Sequence, residues 1–140
     1  MNIEYKGSEP TRAHEVDAGA DLRSAVKVAL PPGARALVAT GTRLNLPPGQ
    51  VGYICPRSGL AAKHGVTVLN APGVIDTGYN GEVLVNLINH GDRTFEIEIG
   101  DRIAQIVVQP VNLVNYEPVP DFTVRWGERG EDGHGSSGVT

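Results

Sequence analysis

Apolar and polar positions along the chain recur with a period of two, and helical periodicity is almost absent. In Thr94-Phe95-Glu96-Ile97-Glu98-Ile99 the alternation is strict, which places Phe95, Ile97 and Ile99 on one face of a strand. Val26, Val28 and Leu30 alternate in the same way, as do Leu44 and Leu46. Val51–Cys55, Val66–Leu69, Val83–Ile88, Ile103–Val108 and Val111–Tyr116 are short apolar stretches rich in β-branched residues, the composition of strands. Turn signals separate them: Pro-Pro-Gly at 31–33 and 47–49, Ala-Pro-Gly at 71–73 and His-Gly-Asp at 90–92. The flanks of the two Pro-Pro-Gly turns do not match, so they mark no internal repeat. Only Ser58–His64 reads as helix.

Many short strands at this spacing predict an all-β antiparallel sandwich, jelly roll or barrel. After Tyr116 the pattern fades. Glu117-Pro118-Val119-Pro120 reads as an extended hinge, because each proline restricts its predecessor and cannot donate to a ladder. The expected organisation is a β-barrel over 1–116, a linker over 117–128 and a terminal segment over 129–140, all within one domain. That terminal segment, Arg-Gly-Glu-Asp-Gly-His-Gly-Ser-Ser-Gly-Val-Thr, has the composition of a tail disordered when free and ordered over a ligand.

Composition narrows the choice of function. A chain of 140 residues suits a single core. A net charge of −4 argues against a nucleic-acid or membrane-surface binder, which needs a basic face; an anionic ligand would require arginines gathered locally. Cys55, the single cysteine, excludes an internal disulfide and reads as a small buried hydrophobe in a reducing compartment. No apolar run reaches membrane-spanning length and no secretory signal pattern opens the chain, so a cytoplasmic location is expected.

Five stretches set charged or polar groups beside glycine: AGADLRSA from Ala18, PRSGLA from Pro56, NAPGVIDTGYNGE from Asn70, GDRIAQIV from Gly100 and the terminal RGEDGHGSSG. Arg57 and Ser58 fall at a strand-to-helix junction, where a guanidinium fork and a hydroxyl suit phosphate oxygens. A serine N-cap beside a solvated arginine is the bland alternative. Asn70 carries both a donor and an acceptor and can match an imide edge. Asp76 lies in a hairpin framed by Gly73 and Gly78, where an Asx-turn cap is the ordinary reading. Asp21 reads as a turn or strand-start carboxylate that pairs with an arginine. Arg102 and Gln105 are the polar positions of an apolar strand; Gln105 suits phosphate, and Arg102 suits a carboxylate such as Asp21. Arg129 offers a cation, and Gly135, Ser136, Ser137 and Gly138 can form a nest of amides and hydroxyls around phosphate oxygens. That nest lacks the lysine and the preceding strand of a P-loop.

Taken in this order and at these separations, the five stretches resemble the motifs of the trimeric dUTPase family over essentially the whole chain. The resemblance implies a homotrimeric jelly-roll-like barrel with one short helix and a flexible C-terminal tail. It implies hydrolysis of dUTP to dUMP and pyrophosphate with Mg²⁺, which limits uracil in DNA and supplies dUMP for dTMP synthesis. Ser58 would contact the oxygens around the scissile phosphoanhydride, and Gly59 would allow close backbone approach. Asp76 would hold and activate the attacking water. Tyr79 would lie under the sugar and leave no room for a 2′-hydroxyl, while backbone groups of Val74, Ile75 and Leu84 join Asn70 in reading uracil. Asp21 would reach the metal through water, with no all-protein cage, since Mg²⁺ keeps several waters and binds phosphates directly. Arg57, Gln105, Arg129, Gly135, Ser136 and Ser137 would bind the phosphates. His134 stands where the family usually has a phenylalanine stacked on uracil; imidazole stacks with less area, and a solvated histidine is the alternative. Each pocket would combine Ser58 and Gln105 from one subunit, Asn70, Asp76 and Tyr79 from a second, and the tail of a third.

Two rivals share parts of this pattern. A dCTP deaminase has the same fold, but those enzymes are longer and carry a second arginine soon after the serine of the second motif, where this chain has Leu60-Ala61-Ala62-Lys63. A non-catalytic regulatory trimer is the other; the intact set of Ser58, Asp76, Tyr79 and Arg129 speaks against it. Trp126 reads equally as a hinge packed on a neighbour or as an exposed spacer, and His14, His64 and His90 show no ligand spacing.

Overall fold

The computed structural model describes residues 1–135 and 137–139. In chain order the elements are β1 (Glu4–Gly7), β2 (Ala20–Arg23), β3 (Val28–Leu30), β4 (Arg35–Asn45), β5 (Gln50–Cys55), α1 (Ser58–His64), β6 (Val66–Val68), β7 (Gly73–Ile75), β8 (Glu82–Asn89), β9 (Phe95–Ile97) and β10 (Arg102–Pro110). Two four-stranded sheets, ordered β1-β4-β8-β6 and β2-β10-β5-β7, face each other, and β3 with β9 forms a small third sheet. Every pairing is antiparallel. The architecture is the all-β, jelly-roll-like barrel with one short helix that the sequence predicts.

The core forms where alternation turns one face of each strand inward. Val38 and Leu44 on β4 meet Val83, Val85 and Leu87 on β8; from the other sheet come Leu22, Ile54, Ile103 and Ile106. Three of the four buried polar side chains bond to residues far along the chain. Thr40 Oγ1 donates to the Val83 carbonyl at 2.6 Å and Thr42 Oγ1 to that of Ser8 at 2.8 Å. Asn89, fully buried, donates to the carbonyls of Leu30 and Arg93, both at 2.8 Å, and accepts from the Gly91 amide. That one side chain ties the β8–β9 turn to β3.

Three expectations are corrected. Ile99 does not share a buried face with Phe95 and Ile97: β9 stops at Ile97 and Ile99 is 71% exposed. The Asp101 carboxylate accepts the Glu98 amide at 2.8 Å and closes a turn there, which rotates Ile99 outward. Val26 precedes β3 rather than joining it, because the Ser24 hydroxyl bonds both the amide and the carbonyl of Val26 in a local turn. Val111–Tyr116 forms no strand; the Val111 amide makes one last bond to the Gly49 carbonyl, and residues 112–116 are exposed.

Candidate active site

Three groups of polar residues emerge from this scaffold. The first gathers where β2, β10 and the end of β5 meet. Gln105 on β10 lies opposite Asp21 on one side and Cys55 on the other. Arg57 Nε donates to Asp21 Oδ1 at 3.0 Å, and Arg102 Nη1 lies 3.6 Å from Asp21 Oδ2. A second nitrogen of Arg57 donates to the Arg102 carbonyl at 3.3 Å. One carboxylate therefore holds two guanidinium groups in place, and Arg57 is braced at two points. Gln105 Nε2 donates to the Pro56 carbonyl at 2.9 Å, fixing the backbone just ahead of Arg57. Behind it, a Cβ on Gly19 would collide with the Gln105 amide, so this glycine gives the side chain its space.

Ser58 is the first residue of α1 and not its N-cap. Arg57 takes the cap position with extended dihedrals and no side-chain cap bond forms, which removes the N-cap reading of the serine and leaves its exposed hydroxyl for other work. The space over Gly59 is open.

The second group lies where the chain passes from β7, in one sheet, to β8, in the other. Val74, Ile75, Asp76, Tyr79, Glu82 and Leu84 line a depression of about 170 Å³. Asp76 is exposed in it, and the Tyr79 amide closes a turn on the Asp76 carbonyl at 3.2 Å. Two side chains pin the turn to the barrel: Thr77 Oγ1 donates to the Pro47 carbonyl at 3.0 Å, and Asn80 Nδ2 to that of Leu44 at 3.1 Å. The Tyr79 hydroxyl donates to the Glu82 carbonyl at 2.8 Å, and the ring rests where a Cβ on Gly81 would be, at 2.6–3.0 Å. Asn70 does not line this depression; it sits before the cis Ala71–Pro72 peptide, with its amide close to Gly73 at the far end of β7 from Asp76. The sequence reading missed Gly81, Glu82, Thr77 and Asn80. All lie within the stretch it singled out; Gly81 meets the nearby Tyr79 ring, but the partners of Thr77, Asn80 and Glu82, on Pro47, Leu44 and Gly41, are far away in sequence.

The third group is the tail. Arg129 Nε donates to the Asp132 carbonyl at 2.7 Å and the Asp132 amide returns a bond to the Arg129 carbonyl at 3.1 Å. Gly135 closes a turn with the Gly138 amide, and His134 adopts φ of 38° beside Gly135 at 89°. Arg129, His134 and Ser137 are exposed, and Ser136 lies outside the described residues. Among the described residues, every hydrogen bond and ion pair of the tail beyond Glu117 is local.

The first two groups are kept apart within one chain. β7 pairs with β5 so that Ile75 faces Gly52, which puts Asp76 beside Val51. Arg57 and Ser58 follow Cys55 at the other end of β5. At ~3.3 Å per residue, Val51 and Cys55 alone are about 13 Å apart. β7 also flanks β5 on the side away from β10. Among the described residues no cluster of three His, Cys, Asp or Glu could hold a metal, and no helix is long and apolar enough to cross a membrane.

Comparison with known proteins meets this geometry. The dUTPase family profile matches residues 6–138. The chain is 55% identical over 130 residues to a deoxyuridine 5′-triphosphate nucleotidohydrolase of Nocardia farcinica, covering 92% of this chain and 78% of the relative. It is 50% identical over 132 residues to the protein of the same name from Cutibacterium acnes, covering 94% and 86%. Among solved structures, the dUTPase of Staphylococcus bacteriophage 80alpha with dUPNHPP superposes with a TM-score of 0.90 at 30% identity, covering 99% of each chain. A variant dUTPase from phage phi11 of S. aureus, described for its coordination of a structural Mg(II) ion, superposes at 0.82 with 26% identity, covering 89% of this chain and 100% of the other. A profile that runs from β1 into the tail, and relatives this similar over nearly the full length, leave one assignment: the chain belongs to the dUTPase family.

Proposed function

We propose that this chain hydrolyses dUTP to dUMP and pyrophosphate as a homotrimer, each pocket assembled from three copies. The observation that carries the reading is the division of polar groups: Asp76 and Tyr79 at one end of β5, Arg57 and Ser58 at the other, and a tail bonded only to itself among the described residues. A second copy can bring an Arg57–Ser58–Gln105 group to the depression beside Asp76, and a third can supply Arg129 and the Gly135–Gly138 turn. Two exposed apolar surfaces support self-association. Leu37, Leu69 and Leu84 lie outward on or beside the β4-β8-β6 sheet, and Leu113, Tyr116, Phe122 and Trp126 stand exposed along the segment leaving the barrel.

In the assembled pocket, the peptide groups of Val74, Ile75 and Leu84, with the Asn70 amide, read the uracil edge. Cytosine would leave those groups unpaired, a mismatch worth several powers of ten in discrimination. The Tyr79 ring packs under the sugar and excludes a 2′-hydroxyl. Asp76 orients a water for in-line attack on the α-phosphate and accepts its proton. Ser58 and Gln105 donate to phosphate oxygens, Arg57 and Arg129 neutralise charge, and His134 stacks over the base while Gly135, Ser136 and Ser137 surround the terminal phosphates.

The donor set fits Mg²⁺ held by substrate phosphates and water. Asp21 has each oxygen engaged by an arginine, yet a carboxylate accepts about four bonds, so it can still receive a bond from a metal-bound water. Bound there, Mg²⁺ would neutralise phosphate charge.

The test is pyrophosphate release from dUTP, UTP, dTTP and dCTP by the intact chain and by Asp76→Asn. dUTP alone is expected to turn over well, and Asp76→Asn to lose about 10²-fold or more in kcat. Undiminished activity of Asp76→Asn, or comparable turnover of UTP, would refute the assigned roles.

A further inference from the structure

We infer that Glu82 is a positioning residue for sugar selection: its carboxylate, bonded to an irregularity in β4, fixes the carbonyl that aims the Tyr79 ring. The inference rests on the proposed role of Tyr79 and assigns what makes that ring rigid.

The geometry starts in β4. Ala39 pairs with Leu84 and Arg43 with Glu82, so four steps along β4 match two along β8, and β4 carries two extra residues. The extra length interrupts the ladder at Gly41, whose φ of 69° belongs to the left-handed region. Side chains complete the ladder there. Thr40 Oγ1 donates to the Val83 carbonyl at 2.6 Å, and the Gly41 N–H donates to Glu82 Oε1 at 2.7 Å. Glu82 is half-buried, and its carboxylate makes this bond to β4 while the residue also lines the depression. A charged acceptor on a backbone amide is among the stronger hydrogen bonds a strand can have.

The same residue holds the tyrosine. The Tyr79 hydroxyl donates to the Glu82 carbonyl at 2.8 Å, across a turn whose third member, Gly81, has no room for a Cβ against the ring. The ring is thus fixed by its hydroxyl at one end and by a bare Cα beneath it, and both contacts depend on where β8 begins. Glu82 sets that start through Gly41. Exclusion of one oxygen atom from a sugar needs a wall that does not yield, and a tyrosine 45% exposed has no packed surroundings to stiffen it otherwise. Without the Glu82–Gly41 bond the carbonyl moves, the ring gains freedom and a 2′-hydroxyl can enter.

The experiment measures kcat/KM for dUTP and UTP on the full-length protein, with melting temperature and oligomeric state recorded for each variant. Glu82→Gln keeps an oxygen acceptor for Gly41 and is expected to hold the parent dUTP:UTP ratio to within about threefold. Glu82→Ala is expected to shift that ratio toward UTP by about tenfold or more, chiefly through a gain on UTP. Tyr79→Phe, on an exposed side chain, removes only the hydroxyl bond and is expected to shift the ratio the same way even where Glu82→Ala proves unstable. Tyr79→Ala is the control for the underlying role. A parent-like ratio in Glu82→Ala or Tyr79→Phe, with Tyr79→Ala permissive for UTP, overturns this inference alone. Equal loosening by Glu82→Gln and Glu82→Ala overturns the hydrogen-bond account. A parent-like ratio in Tyr79→Ala overturns the role of the ring itself and the inference with it.

Discussion

Replacing Asp21 by asparagine tests whether the group of Asp21, Arg57 and Arg102 is built by electrostatics. The carboxylate, with 17% of its side chain exposed, meets Arg57 at 3.0 Å and Arg102 at 3.6 Å. Coulomb's law gives the closer contact about 1.4 kcal/mol at the dielectric of water and about 5.5 kcal/mol at an effective value of about 20. Desolvation of a largely buried carboxylate offsets most of the upper figure. A net contribution of about 2 kcal/mol remains, in the range of hydrogen bonds to charged groups. Asparagine keeps the volume and one acceptor but leaves the two guanidinium groups facing each other without a counter-charge. For a chain of this length that corresponds to roughly 6–8 °C in Tm. Arg57, released from Asp21, should also cost kcat/KM about tenfold, on the scale of one misplaced charged hydrogen bond. Differential scanning calorimetry and steady-state kinetics over a Mg²⁺ titration read both effects. A Tm within about 1 °C of the parent, with activity restored by excess Mg²⁺, would refute the electrostatic brace and leave Asp21 acting through the metal alone.

Two further outcomes follow from the tail. Ending the chain after Gly127 removes no hydrogen bond or ion pair to the barrel among the described residues, so stability should change by no more than about 0.5 kcal/mol while dUTP turnover collapses; a truncated protein as active as the whole would return the tail to mere fraying. His134→Phe should retain activity and His134→Ala should lose about tenfold in kcat/KM, as expected for loss of a base-stacking ring; equal losses in the two variants would remove stacking from its role.

What the sequence disclosed followed from where side-chain chemistry and periodicity agree. β5, β6, β8, β10 and α1 announce themselves because bulky apolar residues mark one face and turn residues close both ends. β1, β2 and most of β4 do not. In β4 the inward positions after Val38 are Thr40 and Thr42, and buried threonines bonded to Val83 and Ser8 look polar in a linear reading. β2 alternates correctly, Ala20 and Leu22 in and Arg23 out, but four residues carrying two charges read equally as a turn or a strand start. Ile99 shows the opposite error, a correct period ended by an aspartate three-dimensionally placed to cap it. At the candidate site, Arg57 and Ser58 stood out by their chemistry, and the proposed roles of Asp76 and Tyr79 came from the family resemblance. Residues that leave room or brace by their contacts, Gly19, Gly81 and Glu82, were not legible. Their partners are Gln105, Tyr79 and Gly41, and nothing in a one-dimensional string marks such pairs.

The separation of Asp76 from Ser58 along β5 has a bearing on how damage spreads. On the proposed reading, a lesion at Ser58 and one at Asp76 in the same chain disable different pockets, because each end of the strand serves a different neighbour. Two dead proteins, one lacking each end, would regain turnover when mixed and allowed to exchange copies. An isolated chain would be well folded and inert, and dilution below the dissociation constant of the assembly would silence the enzyme without unfolding it.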